Sequence, residues 1–232
     1  AFAASLRPVR GVWADWRAKA RAAWEAGFDL PPQPSPVDMG LATAHIREVL
    51  PEDAILTNGA GNFTVWPNKF CKFGPKARLL APQSGAMGYG VPAAIAAKVA
   101  YPDRTVVCFA GDGDFQMNCQ ELATALQEGA QPIILILNNG IYGTIRAHQE
   151  RTYPGRVSGT DMVNPDFVAL ARAYGFHAER VETTGAFADA FSRALASKTG
   201  AVLDLNISPE ALTPRQTLSQ MRAAALAKKG QS

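Results

Sequence analysis

The sequence predicts an α/β fold: a doubly wound, mainly parallel sheet with helices on both faces. Two observations carry this. Short apolar runs without polar alternation recur at residues 106–109 (VVCF) and 132–137 (PIILIL), as expected of strands covered on both sides, and residues 201–207 (AVLDLNI) read as a final buried strand. Segments with apolar residues at helical spacing alternate with those runs, which is the order of strand–helix–strand units with right-handed crossovers. With 232 residues, 47% hydrophobic and 19% charged, the chain can bury one sizeable core and still carry tails.

Residues 1–11 have some apolar character but no basic start ahead of an apolar core, so no signal peptide is read there. Residues 11–27 carry Trp13, Trp16, Ala20 and Trp24 at three-to-four spacing, one apolar helix face. Pro31, Pro32, Pro34 and Pro36 then make a stiff, extended linker. Residues 1–34 are read as a linker or tail from a preceding domain, the alternative being a helical arm packed on the same domain. Ser35-Pro36 is expected to open a helix with Pro at its first position, continuing through Val37, Leu41, Ala44, His45 and Val49. His45 reads as a packed or surface histidine. Residues 54–57 form a strand, and a glycine-rich loop at residues 58–62 follows it.

Residues 83–92 (QSGAMGYGVP) set Met87 among small residues, ahead of a helix over residues 93–100. The strand at 106–109 runs into Gly111-Asp112-Gly113. Asn118 and Glu121 resemble a capping box, opening a helix with Leu122, Ala125, Leu126 and Gly129 at helical spacing. The next strand ends in Asn138-Asn139. Residues 152–161 are loop-like. Asn164-Pro165 is expected to cap a helix through Tyr174, stopped by Gly175. A strand near residues 177–181, a helix around Phe187, Ala190, Phe191 and Leu195, and the strand at 201–207 complete the folded part, with His177 structural. The folded domain is placed at 35–208, and 209–232 is read as a C-terminal tail, partly helical and basic at its end.

In open α/β sheets, ligands collect beyond the carboxyl ends of the strands. Asp112 follows one strand and Asn139 another, so neighbouring strands would bring both side chains to one crevice. One carboxylate plus one amide oxygen is a sparse, hard-oxygen set that suits Mg²⁺. Gly111 and Gly113 let the backbone approach a phosphate closely, and a helix starting near Asn118 would add its positive end. The bland alternative is that Asp112 and Asn139 only close turns.

Gly111-Asp112-Gly113, with residues 114–137 between it and Asn138-Asn139 and an apolar strand before each end, resembles the diphosphate-binding motif of thiamine-diphosphate enzymes, in particular the acetolactate-synthase-like group. The resemblance covers roughly residues 35–208 and matches the last of three domains in that group. It implies thiamine diphosphate and Mg²⁺ as cofactors. The implied metal ligands are Asp112, Asn139 and the backbone carbonyl of Ile141. The implied cofactor contacts are Gly61, Asn62, Gly85, Met87, Gly111, Asp112, Gly113, Asp114 and Asn139. Met87 corresponds to the family's cofactor-bending residue, pressed between the two rings. The Gly85 carbonyl would accept from the aminopyrimidine amino group, and the Met87 N–H would donate to the pyrimidine. Gly88 and Gly90 would permit the close approach. Asp114 departs from the family pattern, in which Ser or Ala is common; its side chain is expected outside the metal shell, with its backbone N–H on the phosphate. The segment Tyr142 to Glu150 is implied to cover the cofactor and approach the substrate, with Arg146, His148 and Gln149 as candidates for lining that approach.

No catalytic residue is assigned in this chain. The family's cofactor-activating Glu lies on a pyrimidine-binding domain, expected upstream in the same polypeptide or on a partner chain, so the chain alone is expected to be catalytically incomplete. The implied activity makes or breaks C–C bonds next to the carbonyl of small 2-oxo acids, by decarboxylation followed by carboligation. The alternatives are a 2-oxo acid decarboxylase, a 2-hydroxyacyl lyase, or a non-catalytic diphosphate-binding module. A homo-oligomer is implied as well. A Rossmann dehydrogenase is disfavoured because no G-x-G-x-x-G follows a strand. A net charge of +3 without a basic run gives no nucleic-acid footprint, and no run of about 18 apolar residues marks a membrane span. Cys71, Cys108 and Cys119 lack metal-ligand spacing and fit a reducing, cytoplasmic compartment.

Overall fold

A computed structural model describes residues 11–34 and 36–230. The signal-peptide reading of residues 1–10 and the helix opening at Ser35 lie outside these residues. The chain divides into two units, Ala1–Pro31 and Pro32–Ser232. Among its described residues the first unit is built on helix α1 (Ala14–Ala26), none of whose residues is buried. Arg21 pairs with Glu25 at 2.8 Å and lies over the Trp24 ring, and Trp24 meets Phe28 edge-on at 4.5 Å.

The second unit holds a six-stranded sheet in the order β2-β1-β3-β4-β6-β5. Its strands are β1 (Ile55–Asn58), β2 (Arg78–Leu80), β3 (Val106–Gly111), β4 (Ile133–Asn138), β5 (His177–Val181) and β6 (Ala201–Asn206). Every pairing is parallel, so the predicted fold class holds. The central β3 is buried along its whole length, which is why its sequence is apolar without alternation. Edge strand β5 is buried only at Ala178 and Val181, and edge strand β2 is three residues long and half open to solvent. β2 was not anticipated, because so short an edge strand carries no apolar run.

Successive strand residues face opposite sides of the sheet. On one face Val106, Cys108, Ala110, Ile134, Ile136 and Val202 share a core with helices α3 (Gly90–Ala100), α5 (Leu122–Gln127) and α7 (Phe167–Ala173). On the other, α8 (Thr184–Ala196) packs on β5, β6 and α2 (Met39–Val49). His45 of α2 meets the rings of Phe187 and Phe191 edge-on, the packed role expected of it. His177 bonds Glu179 at 2.7 Å. Among the described residues no helix is long and apolar enough to cross a membrane.

Three helix starts differ from expectation. α2 begins at Met39, not at Pro36, because Val37 N–H still pairs with the Asn206 carbonyl at 3.1 Å; Asp38 is the cap, accepting from Gly40 and Leu41 N–H. The capping box at Asn118 does not form. The Asn118 amide donates to the Gly88 carbonyl at 2.9 Å, and a 3-10 turn (Cys119–Glu121) precedes α5. A one-turn helix, α4 (Asp112–Phe115), instead starts directly where β3 ends. α7 is capped by Asp166, not Asn164, through bonds from Val168 and Ala169 N–H.

Helix α6 (Gly143–Thr152) follows β4, and α9 (Leu218–Lys229) lies in the segment read as a tail. Leu218 and Met221 of α9 are buried with Ile141, Ala147 and Leu212. A capping box of Thr217 and Gln220 starts α9.

Candidate active site

The strand order reverses between β1 and β3: β2 lies to one side of β1, while β3 and β4 lie to the other. A ligand crevice is expected beyond the carboxyl ends of the strands at such a point. There the loop after β1 faces the turn after β3, and the loop after β4 completes the rim. The cavity between them encloses about 260 Å³. Gly61, Asn62, Gly85, Met87, Gly111, Asp112, Gly113, Asp114, Asn139 and Ile141 all line it. Every cofactor and metal position named from the sequence is thus brought to one place.

Asp112 is 3% exposed. Its Oδ2 accepts from Gly140 N–H at 2.8 Å and from the Asn164 amide at 2.7 Å. Its Oδ1 accepts from Gly113 N–H at 3.0 Å. Burial raises its pKa, and these donors act the other way. None of the groups bonded to it is a cation. A buried carboxylate held only by neutral donors is a suitable partner for a divalent ion, which offsets the desolvated charge. Gly140 has φ +67°, a left-handed turn that favours glycine and turns its N–H onto Asp112. The Asn139 side-chain oxygen accepts from Ile141 N–H at 3.1 Å, which folds the β4 loop back over the cavity.

Asp114 lies 2% exposed beside Asp112 in sequence, yet its carboxylate serves other groups. Its Oδ1 accepts from Ala60 N–H at 3.0 Å and Gly88 N–H at 2.8 Å. It therefore ties the loop after β1 to the residue next to Met87. Oδ2 has no hydrogen-bond partner among the described residues, and burial raises the pKa. A Cβ on Gly59 would fall on this carboxylate, so glycine at 59 and aspartate at 114 occupy one shared space.

Three expected positions do not line the cavity. Arg146 is buried and bonds Thr160 and Asp161. Gln149 exchanges two bonds with Ser158. Both pin the loop after α6 rather than line the cavity, whose lining also omits His148. The α6 residues on the cavity are Gly143, Thr144 and Ile145, all in the first turn. Thr144 was missed by sequence reasoning: its hydroxyl donates to the Asn62 side-chain oxygen at 2.8 Å and accepts from Asn62 N–H at 3.0 Å. Phe63, Trp66, Ile207 and Leu212 were missed as well, whereas Tyr142 lies in the segment expected over the cofactor. Only their position in the fold, not any local pattern, marks them. The cavity thus has a polar floor of Asp112, Asn139, Asn62 and Thr144 beneath apolar walls, which suits a molecule with a charged end and flat rings.

Residues 59–205 match the family model of the thiamine pyrophosphate enzyme C-terminal TPP binding domain. The match takes in well over half of the chain. The chain belongs to this family. As a member of the thiamine pyrophosphate enzyme family, this domain has thiamine diphosphate as its cofactor. It is 38% identical over 158 residues to an acetolactate synthase of Arthrospira platensis, covering 67% of this chain and 27% of that protein. It is 38% identical over 175 residues to the acetolactate synthase large subunit of Corynebacterium glutamicum, covering 73% and 28%. With the acetolactate synthase isozyme 3 large subunit of Escherichia coli it shares 42% over 125 residues, 53% of this chain and 22% of that one. The chain spans about a quarter of the length of these relatives.

Proposed function

We propose that this chain is the cofactor-binding part of an acetolactate-synthase-like enzyme dependent on thiamine diphosphate and Mg²⁺. The enzyme would act on small 2-oxo acids, joining a second carbonyl compound after decarboxylation. One observation carries the reading: the sequence-derived cofactor and metal positions line a single cavity at the switch point of the sheet, in a chain of this family.

Asp112, the side-chain oxygen of Asn139 and the carbonyl of Ile141 would hold Mg²⁺. Gly111 and Gly113 would leave room for the diphosphate, with the Asp114 backbone N–H beside it. Gly61, and Asn62 fixed by Thr144, would close the other side. Met87 would support the bent cofactor, with the Gly85 carbonyl against the aminopyrimidine. Thiamine diphosphate supplies the electron sink for the bond-breaking step, while the protein supplies shape and electrostatics. The chain spans about a quarter of its relatives' length, which supports a half-site, completed by a pyrimidine-binding domain carrying the activating Glu in the same polypeptide or a partner chain, within a homo-oligomer.

Calorimetry of the chain with thiamine diphosphate plus Mg²⁺, against ADP plus Mg²⁺, tests the reading. Selective binding of the thiamine compound is expected; equal binding of ADP would leave only a general diphosphate module. With pyruvate, the intact enzyme should form acetolactate, whereas acetaldehyde as the sole product would make it a decarboxylase. Steady turnover by this chain alone would refute the half-site.

A further inference from the structure

Asn164 stands where the sequence suggests a helix cap, but its side chain is spent elsewhere. Its Nδ2 donates to Oδ2 of Asp112 at 2.7 Å and to Oδ1 of Asn138 at 2.9 Å. Its Oδ1 accepts from Nε2 of Gln116 at 3.0 Å. Asn138 donates in turn through Nδ2 to Oδ1 of Asp204 at 3.0 Å. Asp204 is 1% exposed, and its Oδ2 accepts from Arg180 Nε at 3.0 Å.

The direction of this relay is not free. An ionised carboxylate only accepts hydrogen bonds. Asp204 therefore turns the Asn138 nitrogen toward itself and the Asn138 oxygen toward Asn164. Asn164 must then present its nitrogen to Asn138, and the same nitrogen reaches Asp112, a second group that only accepts. Two amides locked between two carboxylates have no flipped alternative.

The consequence falls on Asp112. Oδ2 receives two donors, Asn164 and Gly140 N–H, which occupy its two in-plane lone pairs. Oδ1 receives only the N–H of the adjoining Gly113. We propose that Asn164 is a positioning residue that closes Oδ2, so that Asp112 meets a bound divalent cation through Oδ1 alone. The proposal rests on the reading of Asp112 as a metal ligand. A carboxylate presented through one oxygen suits Mg²⁺, which demands near-ideal octahedral geometry. One free to use both oxygens suits Ca²⁺, which takes more ligands in flexible arrangements. Asn164 thereby sets which cation the site prefers.

The test uses the intact protein with saturating thiamine diphosphate. Mg²⁺ and Ca²⁺ affinities are read by displacement of Mn²⁺, with free Mn²⁺ followed by electron paramagnetic resonance. Asn164→Ala should weaken Mg²⁺ binding about 10–100-fold, the usual effect of removing a residue that orients a metal ligand. Ca²⁺ binding should change far less, so the Mg²⁺-over-Ca²⁺ preference falls by about tenfold or more. Asn164→Ser, too short to reach both partners, should move the ratio the same way and decides the matter if the alanine variant does not fold. Asp38→Ala, which removes the α2 cap away from the cavity, should lower stability and leave the ratio unchanged. Asn164 variants with the wild-type ratio, including any in which both affinities fall by one factor, overturn the proposal. Wild-type protein that binds Mn²⁺ no more tightly with thiamine diphosphate than without it overturns the reading of Asp112 as a ligand, and the proposal with it.

Discussion

Gly59 and Asp114 illustrate how tightly single residues are coupled at this site. Gly59→Ala would drive a Cβ into the Asp114 carboxylate, and overpacking of this kind costs about 1–3 kcal/mol. Asp114→Ser removes the acceptor of two backbone N–H groups, at about 1–3 kcal/mol. Combined, the two changes should cost clearly less than their sum, with a coupling of about 1 kcal/mol or more. A double-mutant cycle by urea unfolding reads this directly, and strict additivity would show that the two residues do not compete for space. Asp112, Asn139 and the glycines were legible because strand ends fix them through the backbone. The Asp114 side chain was expected to point away from the metal, but its partners were not legible, because the N–H groups it accepts from belong to residues 60 and 88. Asn164 was misread for the same reason. Locally it looks like a cap, and only residues distant in the chain reveal what its amide holds.

At the level of elements, an ion pair joins α9 to α6 beside their apolar cluster. Glu150 is 0% exposed and accepts from Arg222, at 2.8 Å for Nε, and from Gly155 N–H at 2.9 Å. The hydrogen-bonded Arg222 guanidinium holds its carboxyl below the usual glutamate range. A carboxyl lowered on folding adds stability that is complete above its ordinary value of about 4.5 and is lost as pH falls through the lowered value. Hydrogen-exchange protection of residues 218–229 should therefore stay level from pH 8 to about 5 and fall below about 4.5; a fall near neutrality would point to another group. Arg222→Ala should lower stability by about 1–3 kcal/mol by leaving the buried acceptor short of its donor. Central strands and long amphipathic helices were readable because burial dictates their composition. β2 was not, since its exposed Arg78 and three-residue length leave no pattern. The late start of α2 escaped notice because a backbone bond from Val37 to β6 overrides the preference of Pro36 for a helix start.

Over the whole molecule, the parallel architecture followed from alternation of apolar runs and helical segments, but the walls of the cavity did not. They come from residues as far apart as Ala60 and Leu212, and no window of sequence contains both. Truncation after residue 208 should remove Leu212 and α9 from the cluster around Ile141 and Ala147. Weaker thiamine diphosphate binding and a lower melting temperature are expected; a truncated protein with unchanged affinity would show that this wall is dispensable. The same spacing bears on how the protein is made. A chain still being synthesised lacks this wall of the cavity until residues through Leu212 have left the ribosome. The vitamin-derived cofactor therefore cannot template early folding. It binds once these walls have come together, and binding to the folded state then adds stability by mass action.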